Sequence, residues 1–336
     1  MKGKYVGYVA GYDPLHDFLG RIIRDHMDVR EPQPAFRAFQ LSGSNEVYAY
    51  EEKSSGTRVI CKFYGPRFTQ DLGLAAIVAQ QEYDNLNILR GYNLVGSPHH
   101  VIRPLGVCPD INCGLAVEYF PGEELAHAIM RAAHRGDDVY LLSRLKALAY
   151  FLSTQHERTA QRESVDFGIE CDYFDTVVRT LLNLGRINKW DAEEFFWLRG
   201  LWQECPRMWQ DQQVWLHGDV TPGNFLFGAG LRVGAIDLER MRRGDRAFDL
   251  GRLVGELQHT FMITTKHKSR AEPFISYFFR EYSSHFPDRR ATFDSITART
   301  PFYMGLNHLR VARNDYIPDA YGQRLIRQAK RLLRLS

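Results

Sequence analysis

The apolar positions of this chain shift from mainly strand spacing to mainly helical spacing near Pro121-Gly122. From Ala35 to Phe120 they fall in short runs rich in aromatic and β-branched residues, bounded by turn formers, a strand pattern. Strands are expected over Ala35–Leu41, Glu46–Glu51, Arg58–Tyr64, His100–Val107 and Gly114–Phe120. One helical segment interrupts them, Asp71–Leu89, with Leu72, Ala75, Ala76, Ala79 and Tyr83 on one face. Beyond Pro121-Gly122 the spacing becomes that of helices: Val139–His156, Cys171–Leu184, and Asp191–Trp209 with Asp191 as its cap. Further helices are expected around Leu253–Phe261, Glu272–His285, Pro301–Asn314 and Tyr321–Ser336. A short helix over Phe18–Val29, stopped by Glu31-Pro32-Gln33-Pro34, makes residues 1–34 an arm before the first strand.

A single stretch of the helical region breaks the pattern, Val214 to Gly251. A buried strand, Val214-Trp215-Leu216, runs into the loop His217-Gly218-Asp219-Val220-Thr221-Pro222-Gly223-Asn224. A ribbon follows: Phe225-Leu226-Phe227, a Gly228-Ala229-Gly230 turn, then Arg232–Ile236, which delivers Asp237. Phosphoryl transfer needs a carboxylate to take a hydroxyl proton, and an Asn and a second carboxylate to hold Mg²⁺ against nucleotide phosphates. Asp219 suits the first role, Asn224 and Asp237 the second. A single H-x-D would be an ordinary turn; the ordered set is harder to dismiss.

Composition narrows the class without naming it. At 336 residues with 44% hydrophobic and 25% charged residues, the chain can bury a core large enough for two lobes. A net charge of +3 gives no reason to expect a nucleic-acid partner. The five cysteines, with no C-x-x-C pair, suit a reducing compartment and offer no metal site. With no long apolar run and no apolar leader, no membrane partner is expected and a cytoplasmic location is.

The stretch from Val214 resembles the catalytic core of the aminoglycoside phosphotransferase and choline kinase family, relatives of the protein kinases. The family's H-G-D-x-x-x-x-N stands here as HGDVTPGN, its I-D-x-E as Ile236-Asp237-Leu238-Glu239, and its G-D-x-x-x-D-L as Gly244 to Leu250. The resemblance implies an α+β, two-lobed protein-kinase-like fold, a small lobe with an antiparallel sheet and one helix before a larger helical lobe. Its domains would be the arm 1–34, an N-lobe 35–120 and a C-lobe 121–336, with ATP between the lobes. It implies Asp219 as catalytic base, Asn224 and Asp237 on Mg²⁺ with Glu239 in support, and Asp249 as a brace beneath the loop. Lys62 would bind phosphate, set by Glu82; an edge-strand lysine with a solvated charge is the plainer account. Ser42, Gly43 and Ser44 would cradle phosphate in the first strand connector, otherwise a common hairpin turn. Glu118 and Phe120 would offer a backbone carbonyl and N–H to adenine. His156 reads as structural.

The implied activity is ATP- and Mg²⁺-dependent phosphorylation of a small-molecule hydroxyl, with aminoglycoside-, sugar- and amino-alcohol-like acceptors all open. The seven Lys or Arg against two Asp in residues 301–336 favour an anionic or neutral acceptor if that segment lines the pocket. Two alternatives remain. A nucleotide-binding pseudokinase or scaffold would not need Lys62, Glu82, Asp219, Asn224 and Asp237 together. A kinase acting on a protein-linked group would need a docking segment, and only residues 238–248 separate Asp237 from Asp249, with no D-F-G or A-P-E.

Overall fold

The structure, a computed structural model, describes residues 3–41, 46–65 and 69–334. In chain order the elements begin β1 (Lys4–Tyr8), α1 (Pro14–Met27), β2 (Phe36–Gln40), β3 (Glu46–Glu52), β4 (Arg58–Phe63) and α2 (Leu72–Gly91). Next come β5 (His99–Val101), β6 (Pro104–Cys108), β7 (Gly114–Glu118), β8 (Glu123–Glu124), α3 (Leu125–Arg135), α4 (Asp138–Thr159), α5 (Gly168–Asn183) and α6 (Lys189–Gln203). The remainder is β9 (Gln213–Leu216), β10 (Phe225–Phe227), β11 (Val233–Ala235), β12 (Arg242–Asp245), α7 (Arg246–Thr265), α8 (Glu272–Ser283), α9 (Arg289–Ala312) and α10 (Asp319–Leu333). An antiparallel sheet followed by a larger helical region is the α+β, kinase-like arrangement that the spacing and motifs imply. No helix among the described residues is long and apolar enough to cross a membrane.

By contacts the chain divides into two units: residues 1–123 with 226–240, and residues 124–225 with 241–336. The first is built on a six-stranded sheet in the order β1-β2-β3-β4-β7-β6, antiparallel throughout. Strand alternation gives the sheet two faces. Phe36, Tyr50, Val59, Cys61 and Phe63 project from one and bury Leu15, Phe18, Leu19, Ile22 and Ile23 of α1. Ile60 and Lys62 therefore project from the other. The arm thus supplies the sheet with an edge strand that was not expected, while its expected helix starts earlier, at Pro14, and covers the sheet. The expected strand His100–Val107 is two strands, because β5 leaves to pair in parallel with β11, Val233 opposite His99.

The second unit packs its helices around a core that includes Phe174, Phe195, Trp202, Phe302 and Leu325. β9 and β12 form an antiparallel pair within it, Leu216 opposite Arg242 and Gln213 opposite Asp245. A Cβ on Gly244 would lie 2.7 Å from Leu216 Cδ1, so any larger residue would have to displace that leucine side chain. Two helix starts differ from expectation. The cap of α6 is Asn188, whose side chain accepts from Asp191 N at 2.9 Å; Asp191 completes a capping box from inside the helix. α9 begins at Arg289, before Pro301. The earlier start puts buried Arg299 on that helix, bonded to Asp245 at 2.8 Å and paired with Asp211, and this tertiary tie outweighs the local penalty of an interior proline.

Candidate functional site

In the first unit the candidate side chains around Lys62 gather on the sheet face opposite α1. Lys62 sits on β4, which has β3 on one side and β7 on the other, so it is not an edge-strand lysine. Its Nζ lies 2.7 Å from Glu82 Oε2, 2.5 Å from Asp237 Oδ1 and 3.7 Å from Glu239 Oε2. Glu82 is presented by α2, whose first turn is capped by Asp71 accepting from Leu74 N. One turn after Glu82, Asn85 donates to the carbonyl of Leu238 at 2.8 Å, pinning the segment that carries both acidic residues. Asp237 has φ +65°, a left-handed conformation unusual for a residue with a side chain.

The electrostatics follow from burial and proximity. Burial works against charge on Lys62, but Glu82, then Asp237 and Glu239, outweigh it and hold the ammonium above its usual range. Burial pushes Glu82 upward; Lys62 opposes that, while Asp237 and Glu239 add to it. Tyr64, two residues beyond Lys62 and fully buried, donates its hydroxyl to Glu82 Oε2. Glu82, Asp237 and Glu239 offer carboxylate oxygens within 4.8 Å of one another. One lysine among three carboxylates leaves excess negative charge on hard oxygen donors, a set that fits Mg²⁺.

The two expected adenine contacts also lie in this unit. Glu118 ends β7; its N–H donates to Arg103 O at 2.9 Å and its carboxylate is 2.6 Å from His100 Nε2. Burial would raise that carboxyl, but His100 and the Arg103 N–H hold it below its usual range. The Phe120 ring is buried, stacked on His100 at 5.5 Å and covered by the Arg232 guanidinium at 4.5 Å. Both side chains are engaged within the protein, so any role in binding falls to their backbones. Ser42, Gly43 and Ser44 lie outside the described residues.

In the second unit the loop after β9 is gripped by α7. Asp249, wholly buried in the first turn of that helix, accepts from His217 N at 2.8 Å and Gly218 N at 3.0 Å. His156 bridges Asp249 (Nε2, 3.3 Å) and the Tyr282 hydroxyl (Nδ1, 2.9 Å). Burial alone would raise the Asp249 carboxyl; the His156 hydrogen bond and the His217 contacts outweigh it and hold it below its usual range. Gly218 has φ +79°, which turns its peptide so that N–H and C=O both meet α7. From this support the loop projects Asp219 and closes on itself: Thr221 N donates to Asp219 O at 2.7 Å and Asn224 Nδ2 to the same oxygen at 2.9 Å.

Arg252 is a residue the motifs did not single out. It lies one turn beyond Asp249, is 3% exposed, donates from Nη1 to Gly218 O at 3.0 Å, and pairs through Nη2 with Asp219 Oδ1. Its spacing of three from Asp249 was the available signal, since residues i and i+3 share a helix face. The basic helix α10 does not present all its charge freely: Lys330 meets Asp191 and Glu194, each at 2.6 Å, and Arg334 pairs with Glu194.

A strand-supported Lys–Glu pair beside a carboxylate cluster, and an H-G-D-x-x-x-x-N loop braced by a buried aspartate, define a protein-kinase-like phosphotransferase. The chain belongs to the phosphotransferase enzyme family, whose profile matches residues 36–291. Solved structures agree on the fold. The Plasmodium vivax ethanolamine kinase superposes with a TM-score of 0.63 at 13% identity, covering 94% of this chain and 88% of that one. For choline kinase LicA from Streptococcus pneumoniae the TM-score is 0.55 at 16% identity, covering 96% and 99%. Amicoumacin kinase hAmiN, solved with AMP-PNP, Ca²⁺ and Ami, gives 0.58 at 16%, covering 88% of each chain. Among curated proteins none matches the sequence.

Proposed function

We propose that this protein transfers the γ-phosphoryl group of ATP to a hydroxyl of a small molecule. The observation that carries the reading is Lys62, held charged on a central strand among Glu82, Asp237 and Glu239. Lys62 has three N–H donors, and one directed at a phosphate oxygen would orient the nucleotide while Glu82 holds the stem in place. Asp237 and Asn224 would hold Mg²⁺, with Glu239 in support, and the ion would neutralise charge on the phosphate oxygens. The backbones of Glu118 and Phe120 would take the adenine edge, and those of Ser42, Gly43 and Ser44 the phosphates. Asp219 would accept the hydrogen bond of the acceptor hydroxyl, orient its lone pair and take its proton as the new P–O bond forms.

The acceptor is a small alcohol; the names of the similar structures run from ethanolamine and choline kinase to amicoumacin kinase. Engagement of Lys330 and Arg334 by α6 takes two of the seven basic residues of 301–336 out of the case for an anionic acceptor. The test is a panel of amino alcohols, sugars and aminoglycosides read by ADP release from Mg²⁺-ATP. Asp219→Asn should keep nucleotide affinity and lower turnover by at least ~10²-fold. Near-normal turnover in that variant, or a wild type with no affinity for Mg²⁺-ATP, would overturn the reading.

A further inference from the structure

We infer that Arg252 is a positioning residue that holds the catalytic carboxylate Asp219 from outside its own loop. The inference rests on the proposed phosphotransferase reading and goes beyond the motif that supports it. The loop Asp219-Val220-Thr221-Pro222-Gly223-Asn224 contains no cation of its own. The charge that meets Asp219 comes from α7, where Arg252 is only 3% exposed. A guanidinium removed from water to this extent needs an acceptor to meet it, and the Asp219 carboxylate is within reach.

The grip has two points. Nη1 binds the carbonyl of Gly218 at 3.0 Å, and Nη2 pairs with Oδ1 of Asp219. The planar fork therefore sets the carboxylate relative to the backbone one residue earlier, a geometry that a lysine's single ammonium cannot reproduce. Asp249, one turn before it, takes the N–H groups of His217 and Gly218. One face of α7 thus addresses the loop with both polarities: an acceptor for its N–H groups, and a donor for its carbonyl and its carboxylate. Asp249 places the loop, and Arg252 orients the side chain on it. With Oδ1 tied, the direction of the other oxygen is set by the protein rather than by solvent. Orientation of this kind raises turnover without adding affinity for nucleotide.

Arg252 also lines a narrow cleft, together with Phe248, Tyr303, Asn307 and Arg310. Truncating Arg252 to alanine would vacate the volume of its own guanidinium beside Asp219, which a free guanidinium ion matches in shape and charge. That makes chemical rescue a suitable probe.

The experiment uses the full chain, with Mg²⁺-ATP and either water or glycerol as acceptor, on wild type, Arg252→Lys and Arg252→Ala. Arg252→Ala should lower kcat by about 10²-fold, leave KM for ATP and calorimetric ATP affinity within about 3-fold, and remain folded by circular dichroism. Arg252→Lys should recover some of the loss. Guanidinium chloride at about 20 mM should raise kcat of Arg252→Ala several-fold over sodium chloride at equal ionic strength, and leave wild type unaffected. An Arg252→Ala enzyme with kcat near wild type overturns the inference. So does one that loses kcat and ATP affinity together with no response to guanidinium, since that is the behaviour of a structural residue. Both outcomes leave the phosphotransferase reading standing. A wild type that binds no Mg²⁺-ATP removes that reading, and this inference with it.

Discussion

Asp249→Asn tests how the loop is held, independently of what the loop does. The carboxylate accepts from His217 N, Gly218 N and His156 Nε2, and is wholly buried. The amide is nearly isosteric but has one acceptor oxygen, so its NH₂ group must face a donor that the carboxylate had satisfied. The substitution loses one hydrogen bond to a charged acceptor, about 1.5–3 kcal/mol, and strands a buried N–H, about 1–3 kcal/mol more. Because the two losses overlap, about 2–4 kcal/mol is expected, which lowers Tm by about 3–6 °C for a chain of this length. The pH dependence has a definite sign. Asp249 titrates below its usual value in the folded protein, so its contribution is present above the ordinary carboxylate range and is lost as pH falls through the folded value. Wild type and variant should differ most near neutrality and converge in acid. Urea denaturation at several pH values measures the difference, and amide hydrogen exchange at His217 and Gly218 localises it. A loss below about 1 kcal/mol at neutral pH, or unchanged exchange at those two amides, would refute the brace.

Two further outcomes follow from the geometry. Lys62→Ala should weaken binding of ATP far more than that of adenosine, and Glu82→Gln should do so more mildly. Because Lys62 and Glu82 touch at 2.7 Å, the double variant should lose less than the sum; simple additivity in calorimetric titration would separate the two residues. His308 is buried, with Nε2 2.9 Å from Gln258 Oε1, and burial, with His259 and Lys268 adding to it, pushes it down to about 3 from 6.5. Its contribution to stability is therefore complete above pH 6.5 and declines by up to ~1.4 kcal/mol per pH unit as acid protonates the unfolded chain first. His308→Gln should flatten the fall in stability between pH 6.5 and about 5, and an unchanged slope in thermal melts would assign that fall elsewhere.

The change of apolar spacing was enough to foresee a strand-rich beginning and a helical remainder, because burial on one face imposes a period of two on strands and near 3.6 on helices. The motif residues around His217, Asp237 and Asp249 were legible for a related reason: their types and order are demanded by local chemistry and short connections. What spacing could not show were pairings between residues far apart in the chain. Lys62 reads equally well as an edge lysine until β3 and β7 are seen on either side of β4. The run His100–Val107 reads as one strand until β11 draws His99–Val101 away. Pro301 reads as a helix start until Arg299 is found tied to Asp211 and Asp245 from the preceding turn. Arg252 is one more arginine on an amphipathic helix until the fold sets it against Asp219, 33 residues earlier. In each case the local pattern permits two outcomes of similar free energy. Tertiary structure selects between them, because removing a charge or a backbone polar group from water is costly unless a partner from elsewhere in the chain meets it.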